Sequence, residues 1–320
     1  MRILLLGLAP ESIDPAALEQ IQSLAPDLRL VVTSDRAKIE PLLDDIEIAA
    51  GDVPPDLVAR APGLRWFQQW GAGADWLLRY PQAADRDFVL TNASGVHAIP
   101  ISEHIIGMLL MFARRLHRAV RAQARQEWWR PQETELFELE GKTMLLIGVG
   151  AIGARTAALA SALGMRVEGI RRNPDRAVAG VAAMYAPDQL RERLPHADVV
   201  VLTVPLNQAT QGLIGADELR AMKPTAYLVN IGRGGTVDEQ ALVQALTERR
   251  IAGAGLDVFA EEPLPATSPL WTMEQVIITA HYAGLNPHYD ERAMAIFLDN
   301  LRRYRAGAPL RNVVDKRAGY

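Results

Sequence analysis

Met144-Leu145-Leu146-Ile147-Gly148-Val149-Gly150-Ala151-Ile152-Gly153 carries the strongest local signal in the chain. An apolar run enters the spacing G-x-G-x-x-G and continues into an alanine-rich segment of helical character. In that order Gly148 permits a tight turn, Gly150 lets a pyrophosphate approach the backbone, and Gly153 allows close packing of helix on sheet. The helix N-terminus, including Ala151 and Ile152, turns amide donors toward the phosphates. The stretch therefore reads as a dinucleotide-binding turn. The next strand selects the dinucleotide: an acidic residue at its end bonds a ribose 2′-hydroxyl, whereas arginine suits a 2′-phosphate. Here the strand 165–170 runs into Arg171-Arg172-Asn173-Pro174, and Glu168 lies mid-strand. Arg171 and Arg172 favour NADP(H). NAD(H) stays open if the two arginines are only a solvated pair.

Around this turn, strand patterns at 143–147, 166–170, 197–203, 226–230, 253–257 and 276–279 alternate with helical patterns at 153–163 and 238–249, as in a doubly wound Rossmann sheet. Before them, 3–6, 30–33, 46–50, 64–68 and 88–91 read as strands separated by helical segments such as 15–24 and 55–61, a second parallel α/β lobe. One long helix is expected over 101–126, opened by Pro100 and Glu103, with Ile105, Ile106, Leu109, Leu110, Ala113 and Leu116 at helical spacing. The helical pattern 289–304 has no new strands after it and is expected to return to the first lobe. The expectation is an α/β chain of two Rossmann-like lobes with doubly wound parallel sheets. A discontinuous lobe, residues 1–97 and 285–320, surrounds an inserted dinucleotide-binding lobe, 98–284.

Composition narrows the chemistry. The 320 residues are 49% hydrophobic and 22% charged, with net charge −4, so neither a disordered chain nor an overall positive field for nucleic acid fits. There is no cysteine, which removes disulfides, thiolate nucleophiles and cysteine-ligated metals. The apolar start is short and is followed by Glu11 and Asp14, as expected of a buried strand rather than a signal peptide. The longest other apolar run, 105–113, is far below the ~18 residues that would suggest a membrane span. A cytoplasmic protein with no membrane or nucleic-acid partner is expected. His97 and His104 lack metal-ligand spacing, so no metal is expected. Arg114, Arg118, Arg121 and Arg125 form a helical stripe that reads as a solvated face or subunit contact. Trp128 and Trp129 suit either a dimer anchor or burial within the chain.

Three further segments each start at an expected strand end: Asn230-Ile231-Gly232-Arg233-Gly234-Gly235, then Leu256-Asp257-Val258-Phe259-Ala260-Glu261-Glu262-Pro263, then Thr279-Ala280-His281-Tyr282-Ala283-Gly284. Ligands of open α/β sheets bind outside the carboxyl ends of the strands. Arginine offers a planar fork for a carboxylate, histidine is a proton donor near neutral pH, and a neighbouring glutamate favours the imidazolium. Together they make a reduction site beside a nicotinamide.

In order and spacing these four motifs resemble the D-isomer-specific 2-hydroxyacid dehydrogenases, and Thr91 to Ala98 with Glu103-His104 resembles that family's entry to the helix between lobes. The resemblance covers most of the chain. It implies a flavodoxin-like substrate domain and hydride transfer between NAD(P)(H) and a small 2-oxo or D-2-hydroxy acid, such as glyoxylate or hydroxypyruvate. It also implies that Arg233 orients the substrate's carboxylate and carbonyl, that His281 is the acid/base, and that Glu262, chosen over Glu261 because it directly precedes Pro263, is its partner. Val204, Pro205 and Ile231 resemble adenosine and nicotinamide contacts, Asp257 a carboxamide partner, and Arg233, His281, Ala283 and Gly284 complete the cofactor set. Gly71, Ala72 and Gly73, within Trp70-Gly71-Ala72-Gly73-Ala74-Asp75, resemble the loop whose amides hold the substrate, although two glycines could simply make a turn. A homodimer is implied. Two other functions remain open: a dinucleotide-sensing regulatory protein of the same fold, and a phosphite-type dehydrogenase.

Overall fold

A computed structural model describes residues 1–319; Tyr320, the last residue of the expected first lobe, lies outside them. The chain divides into two compact units, Met1–Val96 joined by the segment from Asn286 onward, and His97–Leu285.

The first unit is built on β1 (Ile3–Gly7), β2 (Arg29–Val32), β3 (Ile46–Gly51), β4 (Trp66–Gln69) and β5 (Val89–Thr91), all parallel in the order β2-β1-β3-β4-β5. That is the flavodoxin-like order. Strand side chains alternate between faces, so a sheet covered on both sides needs continuous apolar strands. Ile3, Leu5 and Phe67 pack toward Leu57 and Val58 on one side, while Leu4, Leu6, Ile48 and Trp66 meet Phe297 and Leu301 on the other. Phe297 and Leu301 belong to the helix Tyr289–Arg305, so the C-terminal segment supplies one layer of this unit. Trp66 stacks on Phe297 at 5.5 Å, and buried Asn300 donates to Gln68 Oε1 at 3.0 Å.

The second unit carries β6 (Thr143–Ile147), β7 (Arg166–Ile170), β8 (Ala183–Tyr185), β9 (Val199–Leu202), β10 (Tyr227–Asn230), β11 (Gly253–Leu256) and β12 (Val276–Ile278). Their order is β12-β11-β10-β9-β6-β7-β8, all parallel. The strand order reverses between β6 and β9, the switch point of a Rossmann sheet. β8 was not expected: Ala183-Met184-Tyr185 is a three-residue, half-buried edge strand, too short for a period to show.

The single helix expected over 101–126 is two, Ala98–Ala113 and Leu116–Ala124. The break is at Arg115, which takes the left-handed conformation (φ 56°) while its Nε donates to the Glu135 carbonyl at 2.8 Å. Just beyond it, His117 Nδ1 bonds the Met111 carbonyl at 3.0 Å. The apolar spacing runs on past the corner, and periodicity cannot register a turn that tertiary hydrogen bonds impose. Met108, Leu109 and Phe112 of the first helix are buried against the sheet side that holds Ala157 and Ala160. Among the described residues no helix is long and apolar enough to cross a membrane.

Candidate active site

Because the second sheet is wholly parallel, β6, β7, β9, β10, β11 and β12 end on one edge, and each motif singled out above for this unit begins there. At the end of β6, Gly148 adopts φ 95°, and a Cβ on it would lie 2.8 Å from Val204 Cγ1. A Cβ on Gly153 would fall 2.3 Å from the Gly148 carbonyl oxygen, which Thr203 Oγ1 also holds. At Gly150 a Cβ would meet nothing within 4 Å, so the turn is closed against the protein and open on its outer side. Gly150 caps the helix Ala151–Ala162 without a side chain, leaving first-turn amides for a ligand. These features fit a dinucleotide pyrophosphate. At the end of β7, Glu168 is buried and accepts from Arg166 Nε at 3.1 Å, whereas Arg171 and Arg172 follow the strand, the latter exposed.

At the ends of β11 and β12, His281 Nδ1 lies 2.7 Å from Glu262 Oε2, and Glu262 Oε1 accepts the Phe259 amide at 2.9 Å. Burial pushes the Glu262 carboxyl up, but the His281 hydrogen bond, the Phe259 amide and the charges of His281 and Arg233 outweigh it and hold it below the usual carboxylate range. Both of its oxygens are engaged, so the imidazole is oriented as well as paired. Glu262, not Glu261, reaches the histidine.

His281 stands in the left-handed region, φ 53°, where a non-glycine residue needs support. Asp257 supplies it. Its carbonyl accepts the His281 amide at 2.8 Å, Oδ1 accepts the Tyr282 amide at 3.1 Å and the Thr279 hydroxyl at 2.6 Å, and Oδ2 accepts the Ala283 amide at 3.1 Å. Behind it, His104 Nε2 is 3.1 Å from Thr279 Oγ1. The threonine gives its one proton to Asp257, so His104 is the donor in that pair. Burial pushes His104 down, against the charge of Asp257, in keeping with a neutral ring.

The arginine loop is held through its backbone. Asn230 Oδ1 accepts the Gly232 amide at 3.1 Å, while Asn230 Nδ2, at 3.1 Å, and Thr236 Oγ1, at 2.6 Å, donate to the Arg233 carbonyl. The half-buried guanidinium donates to the Gly232 carbonyl at 2.8 Å. Its charge acts on Glu262 and, after burial, on His97, which is pushed down.

Residues 106–283 match the sequence profile of the NAD-binding domain of D-isomer specific 2-hydroxyacid dehydrogenases. The chain belongs to the D-isomer specific 2-hydroxyacid dehydrogenase family. The dehydrogenase is 34% identical over 277 residues to a glyoxylate reductase of Korarchaeum cryptofilum, covering 85% of this chain and 82% of that one. It is 30% identical, with TM-score 0.84 over 100% of this chain and 99% of the other, to a 2-hydroxyacid dehydrogenase of Xanthobacter autotrophicus solved with NADPH and MES. An NADPH-dependent glyoxylate/hydroxypyruvate reductase of Sinorhizobium meliloti, solved with NADP and sulfate, gives TM-score 0.83 at 29% identity, covering all of both chains. The dehydrogenase is accordingly an NAD(P)-dependent oxidoreductase acting on the 2-hydroxy or 2-oxo group of small acids.

The dehydrogenase thus brings Arg233, Glu262, His281 and Asp257 to one edge of its second unit, with Val204, Pro205, Ile231, Ala283 and Gly284 at neighbouring strand ends. Gly71, Ala72 and Gly73 follow β4 in the first unit, half-buried. Sequence reasoning named neither Thr279 nor His104 as part of this network; the clue available was that Thr279 opens the histidine segment. Nor did it name Asn230 and Thr236 as holders of the arginine loop. Three of the four arginines of the basic stripe are matched within the chain: Arg118 pairs with Glu135 at 2.9 Å, Arg121 donates to the carbonyls of Glu274 and Val276, and Arg125 pairs with Glu127 at 2.7 Å, while Arg114 ends the first of the two helices. Trp129 lies under Arg118, 5.0 Å from its guanidinium carbon, an intramolecular contact, while Trp128 is fully exposed. Among the described residues no group of three His, Asp or Glu is placed to hold a metal.

Proposed function

We propose that the dehydrogenase reduces glyoxylate, hydroxypyruvate or a 2-oxo acid of similar size, preferring NADPH. The observation that carries this is the His281–Glu262 pair, 2.7 Å apart, on the same sheet edge as Arg233 and the Gly148–Gly153 turn. Relatives named for glyoxylate reduction, and an NADPH-dependent one among the solved structures, support the substrate class and the cofactor. Arg233 neutralises the carboxylate and draws electron density toward the carbonyl oxygen. His281, protonated, gives its Nε2 proton to that oxygen while Nδ1–H stays on Glu262. The nicotinamide, when bound, would supply the hydride that the carbonyl carbon takes. In the oxidative direction neutral His281 takes the hydroxyl proton through the same atom. The amides of Gly71, Ala72 and Gly73 are assigned to the carboxylate end of the substrate.

A spectrophotometric panel of 2-oxo acids with NADPH and NADH tests the proposal, and no oxidation of either cofactor with any acid would overturn it. Glu262→Gln should lower kcat for reduction by roughly 10-fold or more, because the carboxylate oxygen that orients His281 through Nδ1 is lost, and should leave the KM for NADPH nearly unchanged. An unchanged kcat would remove Glu262 from that role. Arg171 and Arg172, both changed to alanine, should raise the KM for NADPH by roughly 10- to 100-fold, since charge-assisted hydrogen bonds to a phosphate are lost, and leave that for NADH nearly unchanged. Equal effects on the two cofactors would eliminate them as phosphate ligands. We further infer a homodimer with exposed Trp128 at its contact, and a cytoplasmic setting where the nicotinamide pool is available; sedimentation of the protein reports the first of these.

A further inference from the structure

The loop after β4 shows an unusual division of its hydrogen bonds. Every carbonyl from Trp70 to Gly73 is taken by a side chain, and that of Gly71 also by the Ala93 amide at 3.2 Å. Tyr289 Oη donates to Trp70 O at 2.7 Å, Gln69 Nε2 to both Gly71 O and Gly73 O at 3.0 and 2.6 Å, and Asn92 Nδ2 to Ala72 O at 2.7 Å. The amides of Gly71, Ala72 and Gly73 donate to no group among the described residues. With these carbonyls engaged, three consecutive amides remain as donors that a carboxylate can take.

Each of the three side chains is itself fixed in the orientation this needs. Trp76 Nε1 can only donate, and it donates to Gln69 Oε1 at 2.9 Å, so the NH2 end of Gln69 must face the loop. Asn92 Oδ1 accepts the Ser94 amide at 3.0 Å, which turns its NH2 toward Ala72. Tyr289 faces a carbonyl, an acceptor only, and burial with the charges of Asp52 and Asp290 pushes the phenol up to about 12, so it keeps its proton. The indole of Trp70, buried, donates to Asp290 Oδ1 at 3.1 Å, so the first turn of the helix Tyr289–Arg305 grips the loop's first residue twice.

We infer that Gln69, Asn92 and Tyr289 are positioning residues for the 2-oxo acid: they hold the carbonyls of Trp70 to Gly73 back and thereby present the amides of Gly71 to Gly73 to the substrate carboxylate. This rests on the assignment of that loop to the substrate. Gln69 is the brace that ties two carbonyls with one nitrogen, and Tyr289 brings the C-terminal segment into substrate recognition without touching the substrate. A negative carbonyl end swung toward the carboxylate would oppose binding of the acid and leave cofactor binding alone.

The test uses the full-length enzyme with glyoxylate, with oxamate as a non-reducible 2-oxo acid mimic, and with Tyr289→Phe, Gln69→Glu and Gly73→Pro, the last removing one of the amides. Tyr289→Phe should raise the KM for glyoxylate and the inhibition constant of oxamate together by about 3- to 10-fold, the range of one hydrogen bond. Gln69→Glu, which loses both donors and adds a negative charge beside the loop, should raise them further still. The KM for NADPH and the kcat should stay nearly unchanged in both. If Gly73→Pro weakens oxamate but Tyr289→Phe and Gln69→Glu do not, the loop binds substrate and the positioning inference is wrong. If none of the three moves oxamate, the loop assignment falls and the inference with it. A uniform loss in kcat, both KM values and Tm would show a merely structural role and also overturn it. Should Gln69→Glu fail to fold, Tyr289→Phe, which deletes only an oxygen, decides the matter.

Discussion

Replacement of His281 by asparagine should lower kcat for 2-oxo acid reduction by about 10²- to 10⁴-fold, the span of a lost general acid, with the KM for NADPH almost unchanged. Asparagine is preferable to alanine because the position has φ 53°, a left-handed conformation that asparagine tolerates better than most residues. The bonds that the amides of His281, Tyr282 and Ala283 donate to the carbonyl and carboxylate of Asp257 can then persist, so a loss of activity reports the missing proton rather than a collapsed turn. The measurement is steady-state reduction with saturating cofactor, accompanied by a cofactor-binding titration. Near-normal turnover would remove His281 as the proton donor, and the pairing of its Nδ1 with Glu262 would then be structural only.

Arg233→Ala should reduce kcat/KM for the 2-oxo acid by about 10³-fold or more, since a preorganised cationic donor facing developing negative charge commonly contributes two to three orders of magnitude to turnover alone. The same substitution removes the group that neutralises the carboxylate. Asn230 and Thr236 hold this loop through the Arg233 carbonyl and the Gly232 amide, not through the guanidinium, so the loop itself should keep its shape. Arg233→Lys should recover only a small part, because an ammonium lacks the planar fork that can meet a carboxylate and a carbonyl at once. The comparison is made in kcat/KM across Arg, Lys and Ala, and a lysine variant as active as the parent would mean that charge alone, without geometry, is what position 233 supplies.

Much of the architecture is legible in the sequence because its signals are local. The Gly148–Gly153 turn couples a strand, a tight corner and a helix start within ten residues, and each motif of the site opens where an apolar run stops. Arg233, Glu262 and His281 were legible for the same reason: strand ends in a parallel sheet must share an edge. What escaped is what no local pattern encodes. The corner at Arg115 depends on a carbonyl of Glu135, and β8 exists because β7 offers an edge to three residues of mixed character. The family resemblance offered Asp257 as a carboxamide partner, but its work in bracing the left-handed turn of His281 involves Thr279 and His104, which come from different segments. The pinned carbonyls of the loop after β4 draw on residues 69, 92 and 289, and a linear sequence gives no sign that they converge.

The split first unit has a bearing on how the chain is made. Its sheet stands ready once β5 has emerged from the ribosome, yet the layer that covers Leu4, Leu6, Ile48 and Trp66 arrives only with Phe297 and Leu301. At synthesis rates of ~5–20 residues per second, the intervening Rossmann unit occupies roughly ten to forty seconds, during which it can close on its own while that apolar face waits. Newly made protein therefore has an interval in which one half is finished and the other is adhesive, the circumstance in which a holding chaperone has most to protect.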